Sequence, residues 1–308
     1  MNDRIKVFVA GHTGLVGAAL VRRLSREARV DLVFHPRQDL DLTHQQAVTD
    51  FFFSERPQQV YLAAARVGGI TDNASHPADF IRDNLLIQTH VIDAAYRSGV
   101  EKLLFLGSSC IYPRLAPQPI KEEYLLTGAL EATNRAYAVA KIAGLEMCRS
   151  YRHQYGFRAI SAMPTNLYGP GDNFLDDSSH VIPALFRRFA TAKKAGHKSV
   201  KIWGSGKPRR EFLHVDDLAD ALVWLMGHYD EPDIINVGCG EDISIAELAE
   251  LIAGIVGFDG SREFDSSYPD GTPRKLLDTT KLTALGWRPQ IGLQAGLAAT
   301  WEGVSGAL

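Results

Sequence analysis

The 308-residue sequence has few cysteines, no strong excess of one charge and no apolar run long enough to span a bilayer. Its three cysteines, Cys110, Cys148 and Cys239, lie far apart without the spacing of a metal site, so we expect reduced thiols and no bound metal. A net charge of −3 argues against a dedicated nucleic-acid or anionic-membrane binder, because such proteins usually carry a basic excess. The first residues lack a signal-peptide pattern. We therefore expect a soluble, cytoplasmic protein.

Short apolar strands alternate with helical patterns along the first half of the chain. Two long helices are predicted for Pro77–Ser98, which ends before Gly99, and for Arg135–Tyr155. This alternation predicts an α/β fold with a Rossmann-type doubly wound parallel sheet. The predicted strands are Ile5–Ala10, Val30–Phe34, Gln59–Ala65, Lys102–Leu106 and Ala159–Met163.

The alternation weakens beyond Gly169-Pro-Gly171. Residues 203–210 and 268–275 are rich in glycine, proline and charge, and we predict loops there that face a ligand. We predict a dinucleotide-binding domain over residues 1–175, with a return segment near 212–238, and a smaller α/β substrate-binding lobe over 176–308.

A glycine-rich loop joins the first strand to the first helical pattern. Glycines there allow a tight turn, close approach of the backbone to a pyrophosphate, and close packing of the helix on the strand. A glycine triplet alone is a weak indication, but its position between a strand and a helix predicts a dinucleotide site. The loop consists of Gly11, His12, Thr13, Gly14, Leu15, Val16 and Gly17.

The end of the second strand favours NADPH over NADH. Proteins that bind NAD usually place a carboxylate there, about 20 residues after the glycines, to hold the ribose hydroxyls. This chain instead has Phe34-His-Pro-Arg37, and Arg37 suits a 2′-phosphate. Asp39 and Asp41 follow, and they are either solvated turn residues or contacts of the adenine.

Tyr137 and Lys141 lie four positions apart, on one face of the predicted helix. A nearby ammonium stabilises a phenolate, so we expect Tyr137 to exchange protons below its usual pKa while a nicotinamide carries the hydride. Ser108 follows a predicted strand and is expected at the carboxyl edge of the sheet, where ligands bind. A turn or capping serine is the simpler interpretation of that position.

Cys110 lies two residues after Ser108 and can point into the same cleft, where a thiol of lowered pKa would shuttle protons. His180 lies between a polar loop and an apolar helix, and beside Cys110 it would be a second acid or base. Cys148 and Cys239 are predicted to fill core space. One further group resembles a metal or catalytic cluster but is interpreted as structural capping: Glu211, His214, Asp216 and Asp217.

Nearly the whole chain resembles the extended short-chain dehydrogenases/reductases. The glycine loop and the Tyr-x-x-x-Lys motif are typical of that superfamily, whereas the Ser-Ser-Cys loop and the Ser-His-Val-Ile-Pro segment resemble its GDP-sugar epimerase/reductases. The resemblance is carried by Gly11–Gly17, Ala63–Gly69, Leu106–Pro113, Tyr137–Lys141, Pro164–Pro170, Ser179–Pro183, Trp203–Gly206, Arg210–Asp217 and Pro269–Asp278.

The resemblance implies a bifunctional enzyme: NADPH-dependent 3,5-epimerisation and 4-reduction of GDP-4-keto-6-deoxy-D-mannose to GDP-L-fucose. In that family, the residues matching Cys110 and His180 move protons at C3 and C5 of the sugar. Those matching Ser108, Tyr137 and Lys141 hold the C4 oxygen as charge develops on it. The resemblance also implies a homodimer built on the two long helices.

The same resemblance assigns further contacts. Arginines suit a diphosphate, a tryptophan offers a stacking face and an aspartate accepts from ribose hydroxyls. Residues predicted near the cofactor are Leu106, Gly107, Ser108, Ser109, Lys141, Pro164, Thr165, Asn166, Leu167 and His180. Residues predicted to hold the GDP-sugar are Arg188, which could equally be a solvated helix residue, Trp203, Arg210 and Asp270.

Two alternatives stay open. Another nucleotide-sugar enzyme of the superfamily, a 4-epimerase, 4,6-dehydratase or 4-ketoreductase, would share the fold. Arg37 and the Cys110/His180 pair argue against an epimerase, which retains NAD and needs no added reductant. A non-catalytic NADPH sensor would have no use for the proton donor Tyr137.

Overall fold

The computed structural model describes residues 4–174, 180–268, 270–306 and 308. Strands and helices alternate along most of this part of the chain. The strands are β1 (Ile5–Ala10), β2 (Val30–Val33), β3 (Gln59–Leu62), β4 (Lys102–Leu106), β5 (Ala159–Pro164), β6 (Asn166–Tyr168), β7 (Ser199–Trp203), β8 (Arg209–Arg210), β9 (Phe212–His214), β10 (Ile234–Val237), β11 (Ile243–Ser244), β12 (Ser261–Asp265) and β13 (Arg274–Lys275). The helices are α1 (Leu15–Leu24), α2 (Gln45–Glu55), α3 (Ile70–Ser75), α4 (Pro77–Ser98), α5 (Arg135–Tyr155), α6 (Val181–Lys194), α7 (Val215–His228), α8 (Ile245–Val256), α9 (Thr280–Ala284) and α10 (Leu293–Val304).

A parallel sheet of six strands, in the order β2-β1-β3-β4-β5-β10, forms the centre of the molecule. The chain extends the sheet in opposite directions from β1, with β2 on one side and β3 on the other. Ligands bind outside the carboxyl ends of the strands at such a switch point. The predicted doubly wound α/β fold is confirmed, and α4 and α5 have the predicted bounds. No helix in the described part of the chain is long and apolar enough to cross a membrane.

Helices cover both faces of this sheet because successive side chains of a strand point in opposite directions. Phe8 of β1 packs with Leu145 of α5 in a cluster that also includes α2 and α4. Val7, its neighbour in the chain, packs on the other face with Leu20 of α1 and Leu218 of α7. The strand ends are therefore held between two apolar layers.

A third apolar cluster joins α6, α8 and α10, with Phe186, Leu248 and Leu297 among its buried members. Beside it, β8 lies between β11 and β13 in a small sheet. The prediction of loops over 203–210 and 268–275 is wrong where these segments end, because Arg209–Arg210 and Arg274–Lys275 pair as parallel strands. Pro269, and Ser179 of another motif, lie outside the described residues.

The chain returns to the main sheet through α7 and β10. Ile234 of β10 is paired with Ser161 of β5. Further along, Leu282 and Trp287 pack in the same apolar cluster as α1 and α7. The division into residues 1–175 with 212–238, and 176–308, stays a prediction.

Candidate active site

The glycine loop after β1 is closed by backbone contacts that leave no space for side chains at two positions. Gly11 has a φ of 86°, and a Cβ on it would lie 2.7 Å from Ala64 Cα. A Cβ on Gly17 would lie 2.0 Å from the carbonyl oxygen of Gly11. Gly14 precedes α1 in an extended conformation, and its N–H donates to the Gly11 oxygen at 3.0 Å. The amino end of α1 thus presents backbone N–H groups to an anion.

Arg37 lies beyond the end of β2 with 76% of its side chain exposed, and its Nε is 3.5 Å from Asp41 Oδ2. Asp41 accepts hydrogen bonds from the N–H and Oγ1 of Thr43, at 2.9 and 2.8 Å. Burial opposes ionisation of Asp41, but these hydrogen bonds and the charge of Arg37 outweigh it and lower its pKa. This geometry favours the interpretation of Asp41 as a turn residue. His12 of the glycine loop stacks on Phe34, with ring centroids 4.7 Å apart.

Four of the predicted catalytic residues meet where β4 ends and α5 begins. Ser108 Oγ accepts a hydrogen bond from the Cys110 N–H at 3.2 Å and is also hydrogen-bonded to Tyr137. Lys141 is buried, and its Nζ donates to the carbonyl oxygen of Leu106 at 2.7 Å. The same Nζ lies 5.9 Å from the centre of the Tyr137 ring.

Burial dominates the electrostatics of Tyr137 and Lys141. It raises the pKa of Tyr137, and the nearby Cys110 adds to this effect, whereas the hydrogen bond with Ser108 opposes it. Burial also lowers the pKa of Lys141 to about 7. The expected lowering of the Tyr137 pKa is therefore wrong, because burial penalises both the phenolate and the ammonium that would stabilise it.

Cys110 differs from the other two cysteines. Burial opposes its ionisation, but the charge and hydrogen bond of Lys275, the hydrogen bond with Ser108 and the charge of Arg210 together lower its pKa. Lys275 Nζ donates to Cys110 Sγ at 3.4 Å. Burial raises the pKa values of Cys148 and Cys239 to about 12.

Lys275 is a site residue that was not predicted from the sequence. It lies 165 positions after Cys110, and the pairing of β13 with β8, together with the bridge between Ile120 and Leu277, brings it to the thiol. The motif Pro269–Asp278 contained it, but nothing in the motif distinguishes this lysine from a solvated one.

His180 occupies the N-cap position of α6, with 52% of its side chain exposed. Its Nδ1 lies 3.8 Å from Asp172 Oδ1. The carboxylate of Asp172 is 5% exposed, and its Oδ2 is buried without a hydrogen-bond partner among the described residues. The pairing of His180 with Cys110 stays a prediction.

Several predicted cofactor residues lie at the carboxyl ends of neighbouring strands. Leu106 ends β4 and Pro164 ends β5, and these strands are paired. Gly107, the next residue after Leu106, packs closely against Met163, because a Cβ on Gly107 would lie 2.4 Å from Met163 Sδ. The remaining members of this group, Ser109, Thr165, Asn166 and Leu167, continue the chain from these two strand ends.

A stack of three side chains lies at the end of β7. The guanidinium of Arg188 is 4.2 Å from the centre of the Trp203 ring, and Trp203 stacks on Tyr268 with centroids 4.5 Å apart. Trp203 is 45% exposed, so part of its surface is open to a ligand. Such cation–π and stacking contacts fix the orientation of the indole.

Asp270 and Arg210 lie between this stack and Cys110. The carboxylate of Asp270 accepts from the N–H and Oγ of Ser205, both at 2.7 Å, and these hydrogen bonds lower its pKa. Arg210 donates to the backbone oxygen of Asp270 at 3.5 Å, and burial lowers its pKa. Asp270 thus braces its own loop, and its contact with a ribose stays a prediction.

Of the group interpreted as structural capping, His214 caps a helix, Glu211 and Asp217 hold backbone N–H groups of other segments, and Asp216 accepts from Arg22. Glu211 accepts from the N–H groups of Gly240 and Leu277 at 2.7 and 2.9 Å. His214 Nδ1 accepts from the Asp216 N–H at the start of α7. Asp217 accepts from two backbone N–H groups of the segment before α10. Within the described residues, no cluster of side chains could hold a metal ion.

The chain is similar to known proteins over most of its length. A model of the NAD dependent epimerase/dehydratase family matches residues 7–238. The chain is 56% identical over 303 residues to GDP-L-fucose synthase 1 of Arabidopsis thaliana, covering 98% of this chain and 94% of the relative. It is 55% identical over 306 residues to GDP-L-fucose synthase of Escherichia coli strain K12, covering 96% and 95%. A solved GDP-mannoheptose C4 reductase from Campylobacter jejuni with NADP bound is 41% identical, with a TM-score of 0.89 and 98% of both chains covered.

Proposed function

The chain belongs to the NAD dependent epimerase/dehydratase family, and we propose that it converts GDP-4-keto-6-deoxy-D-mannose to GDP-L-fucose by 3,5-epimerisation and NADPH-dependent 4-reduction. The resemblance predicted from the motifs is confirmed by this membership. The observation that carries the proposal is the contact of Cys110 with Lys275 beside Ser108 and Tyr137. A reductase alone needs only the serine, tyrosine and lysine, whereas an epimerase also needs a base.

The glycine loop fits a dinucleotide. Side chains at Gly11 and Gly17 would fill the cradle, and the N–H groups at the start of α1 would hold the pyrophosphate. Arg37 would hold a 2′-phosphate, and Leu106 and Pro164 would line the nicotinamide side. NADPH supplies the hydride when bound.

Epimerisation needs a base and an acid on the two faces of the sugar. The C4 ketone acidifies the protons on C3 and C5, and Cys110 as thiolate removes one of them. Ser108 and Tyr137 donate hydrogen bonds to the C4 oxygen and stabilise the enolate. His180, at the start of α6, returns a proton from the opposite face.

Reduction at C4 then needs a proton donor. The raised pKa of Tyr137 keeps its hydroxyl protonated at neutral pH, so it can donate to the C4 oxygen as the hydride arrives. Lys141, with a pKa of about 7, can return a proton to Tyr137.

The GDP moiety would lie across the second lobe. Arg210 and Arg188 would bind the diphosphate and Trp203 would stack on the base, with Asp270 near the ribose. We further propose the two lobes described above, a homodimer that contains α4 and α5 in its interface, and a cytoplasmic location. Light scattering of the purified protein tests the dimer.

The test of the function is NADPH consumption with GDP-4-keto-6-deoxy-D-mannose in deuterated solvent, followed by NMR. We expect turnover with deuterium at C3 and C5, and loss of that label in Cys110→Ser. NADPH oxidation without label would mean a 4-ketoreductase, the alternative that the similarity to the Campylobacter reductase favours. Absence of NADPH consumption would indicate an epimerase, with bound NAD as the next measurement.

A further inference from the structure

Two pairs of basic residues face each other on neighbouring strands of the second lobe. β8 consists of Arg209 and Arg210, and β13 consists of Arg274 and Lys275. The strands are parallel, with Arg209 opposite Arg274 and Arg210 opposite Lys275. Because side chains alternate along a strand, one pair points to each face of this small sheet.

The carboxylate of Asp242 contacts both members of the first pair, and Glu247 contacts Arg209 as well. Asp242 accepts hydrogen bonds from Nε of Arg209 and from Nε of Arg274, and its side chain is only 6% exposed. Arg209 also donates to the backbone oxygen of Asp242 at 2.9 Å. Charge-assisted hydrogen bonds of this kind fix the geometry of both partners, so Asp242 holds β8 and β13 in register.

The second pair points toward Cys110. Lys275 Nζ lies 3.4 Å from Cys110 Sγ, and Arg210 is close enough for its charge to act on the thiol. Two adjacent cations repel each other, and an anion between them offsets that repulsion. Among the described residues, the other titratable or charged groups around this position are Tyr137, which faces Cys110, and Asp270, whose charge acts on Arg210. Tyr112, Arg114 and Glu131 line the same cavity of about 30 Å³.

We propose that Lys275 is the positioning residue that keeps the Cys110 side chain as a thiolate, and that Asp242 holds Lys275 in place for this purpose. The inference rests on the proposed function and deepens it. The thiol loses its proton to solvent before the sugar binds. The thiolate then takes a proton from the carbon beside the C4 ketone. An S–H bond forms, a C–H bond breaks, and its electron pair stays on the sugar as the enolate.

The test is the pH dependence of alkylation of Cys110 by iodoacetamide, read by peptide mass spectrometry in the absence of substrate. The raised pKa values of Cys148 and Cys239 keep these thiols slow, and Cys110→Ser identifies the signal. We expect a midpoint below about 8.5, the value of a free cysteine. Lys275→Gln should raise it by about one unit and slow alkylation at pH 7 about tenfold.

Three further variants complete the experiment. Lys275→Arg should keep the low midpoint, Asp242→Asn should raise it, and Lys194→Gln, an exposed lysine at the end of α6, should leave it unchanged. If Lys275→Gln does not fold, the alkylation midpoint of Cys110 in Asp242→Asn provides the test. An unchanged midpoint in both would overturn the inference, and a raised KM for the GDP-sugar would then assign Lys275 to phosphate binding alone. A shifted midpoint in an enzyme without epimerase activity would refute the proposed function and leave the thiolate assignment standing.

Discussion

Replacing Gly17 by alanine tests how the cofactor loop is built. Gly17 is the third residue of α1, and a Cβ there would lie 2.0 Å from the Gly11 oxygen and 2.7 Å from His12 Cα. These are backbone atoms, so the clash can be relieved only by moving the loop away from the helix. At Gly14 the nearest atom to an added Cβ is 3.5 Å away, an ordinary contact. Gly14→Ala is therefore a matched control.

The clash at Gly17 should outweigh the gain in helix propensity. Overpacking costs about 1–3 kcal/mol, and more where rigid backbone is met. Replacing glycine by alanine inside a helix raises the free energy of unfolding by about 1 kcal/mol through helix propensity. We expect Gly17→Ala to lose about 2 kcal/mol of unfolding free energy, which for a chain of 308 residues corresponds to a Tm lower by about 3 °C. Gly14→Ala, at an N-cap, should lose about 0.5 kcal/mol.

Two assays separate the roles of these glycines. Thermal unfolding followed by circular dichroism, without cofactor, measures the packing cost alone. Fluorescence titration with NADPH measures binding, which both variants should weaken because the backbone of Gly14 lies where the pyrophosphate would approach. A Gly17→Ala protein that unfolds at the temperature of the wild type would refute the steric argument. Equal loss of stability in Gly17→Ala and Gly14→Ala would also refute the steric argument.

Three other expectations concern single side chains. Tyr137→Phe should slow NADPH oxidation by about 10²–10⁴-fold. Deuterium should still enter C3 and C5, as NMR would show, because Ser108 still donates to the C4 oxygen; NADPH oxidation at the wild-type rate would contradict the role of Tyr137 as proton donor. Burial lowers the pKa of His214, against the opposing charges of Asp216 and Asp217, so the unfolded chain binds more protons below about pH 6.5 and stability should fall on acidification. His214→Asn can cap α7 without titrating and should flatten the decline in Tm between pH 7.5 and 5.5; an unchanged slope would count against this account. Glu211→Gln turns an amide donor toward a backbone N–H and should cost about 2 kcal/mol in urea unfolding, whereas the exposed Glu231→Gln should cost almost nothing.

The main sheet could be predicted because buried parallel strands are mostly apolar along their length, as in residues 103–106 and in Ala159–Pro164, whose one polar residue is Ser161. The helix bounds at Pro77 and Gly99 followed from local backbone chemistry. The contact of Lys275 with Cys110 could not be predicted, because two-residue strands have no periodicity and β8 and β13 lie far apart in the sequence.

The direction of the Tyr137 pKa shift could not be predicted from the sequence either. The spacing of Tyr137 and Lys141 gives their proximity on a helix, but burial decides which charge is tolerated, and burial is a property of the whole fold. The aromatic stack of Arg188, Trp203 and Tyr268 likewise joins segments whose pairing no local pattern indicates.

Among the strands of the main sheet, β10 is the last to be synthesised on the ribosome, after β6, β7, β8 and β9. Until Ile234–Val237 emerges, β5 is an open edge, although every one of its residues is buried in the finished protein. An apolar edge strand with unpaired N–H and C=O groups is a template for pairing with other chains. Fragments that end before residue 234 should therefore aggregate, and the four residues of β10 should govern the yield of soluble protein more than their small share of the core suggests.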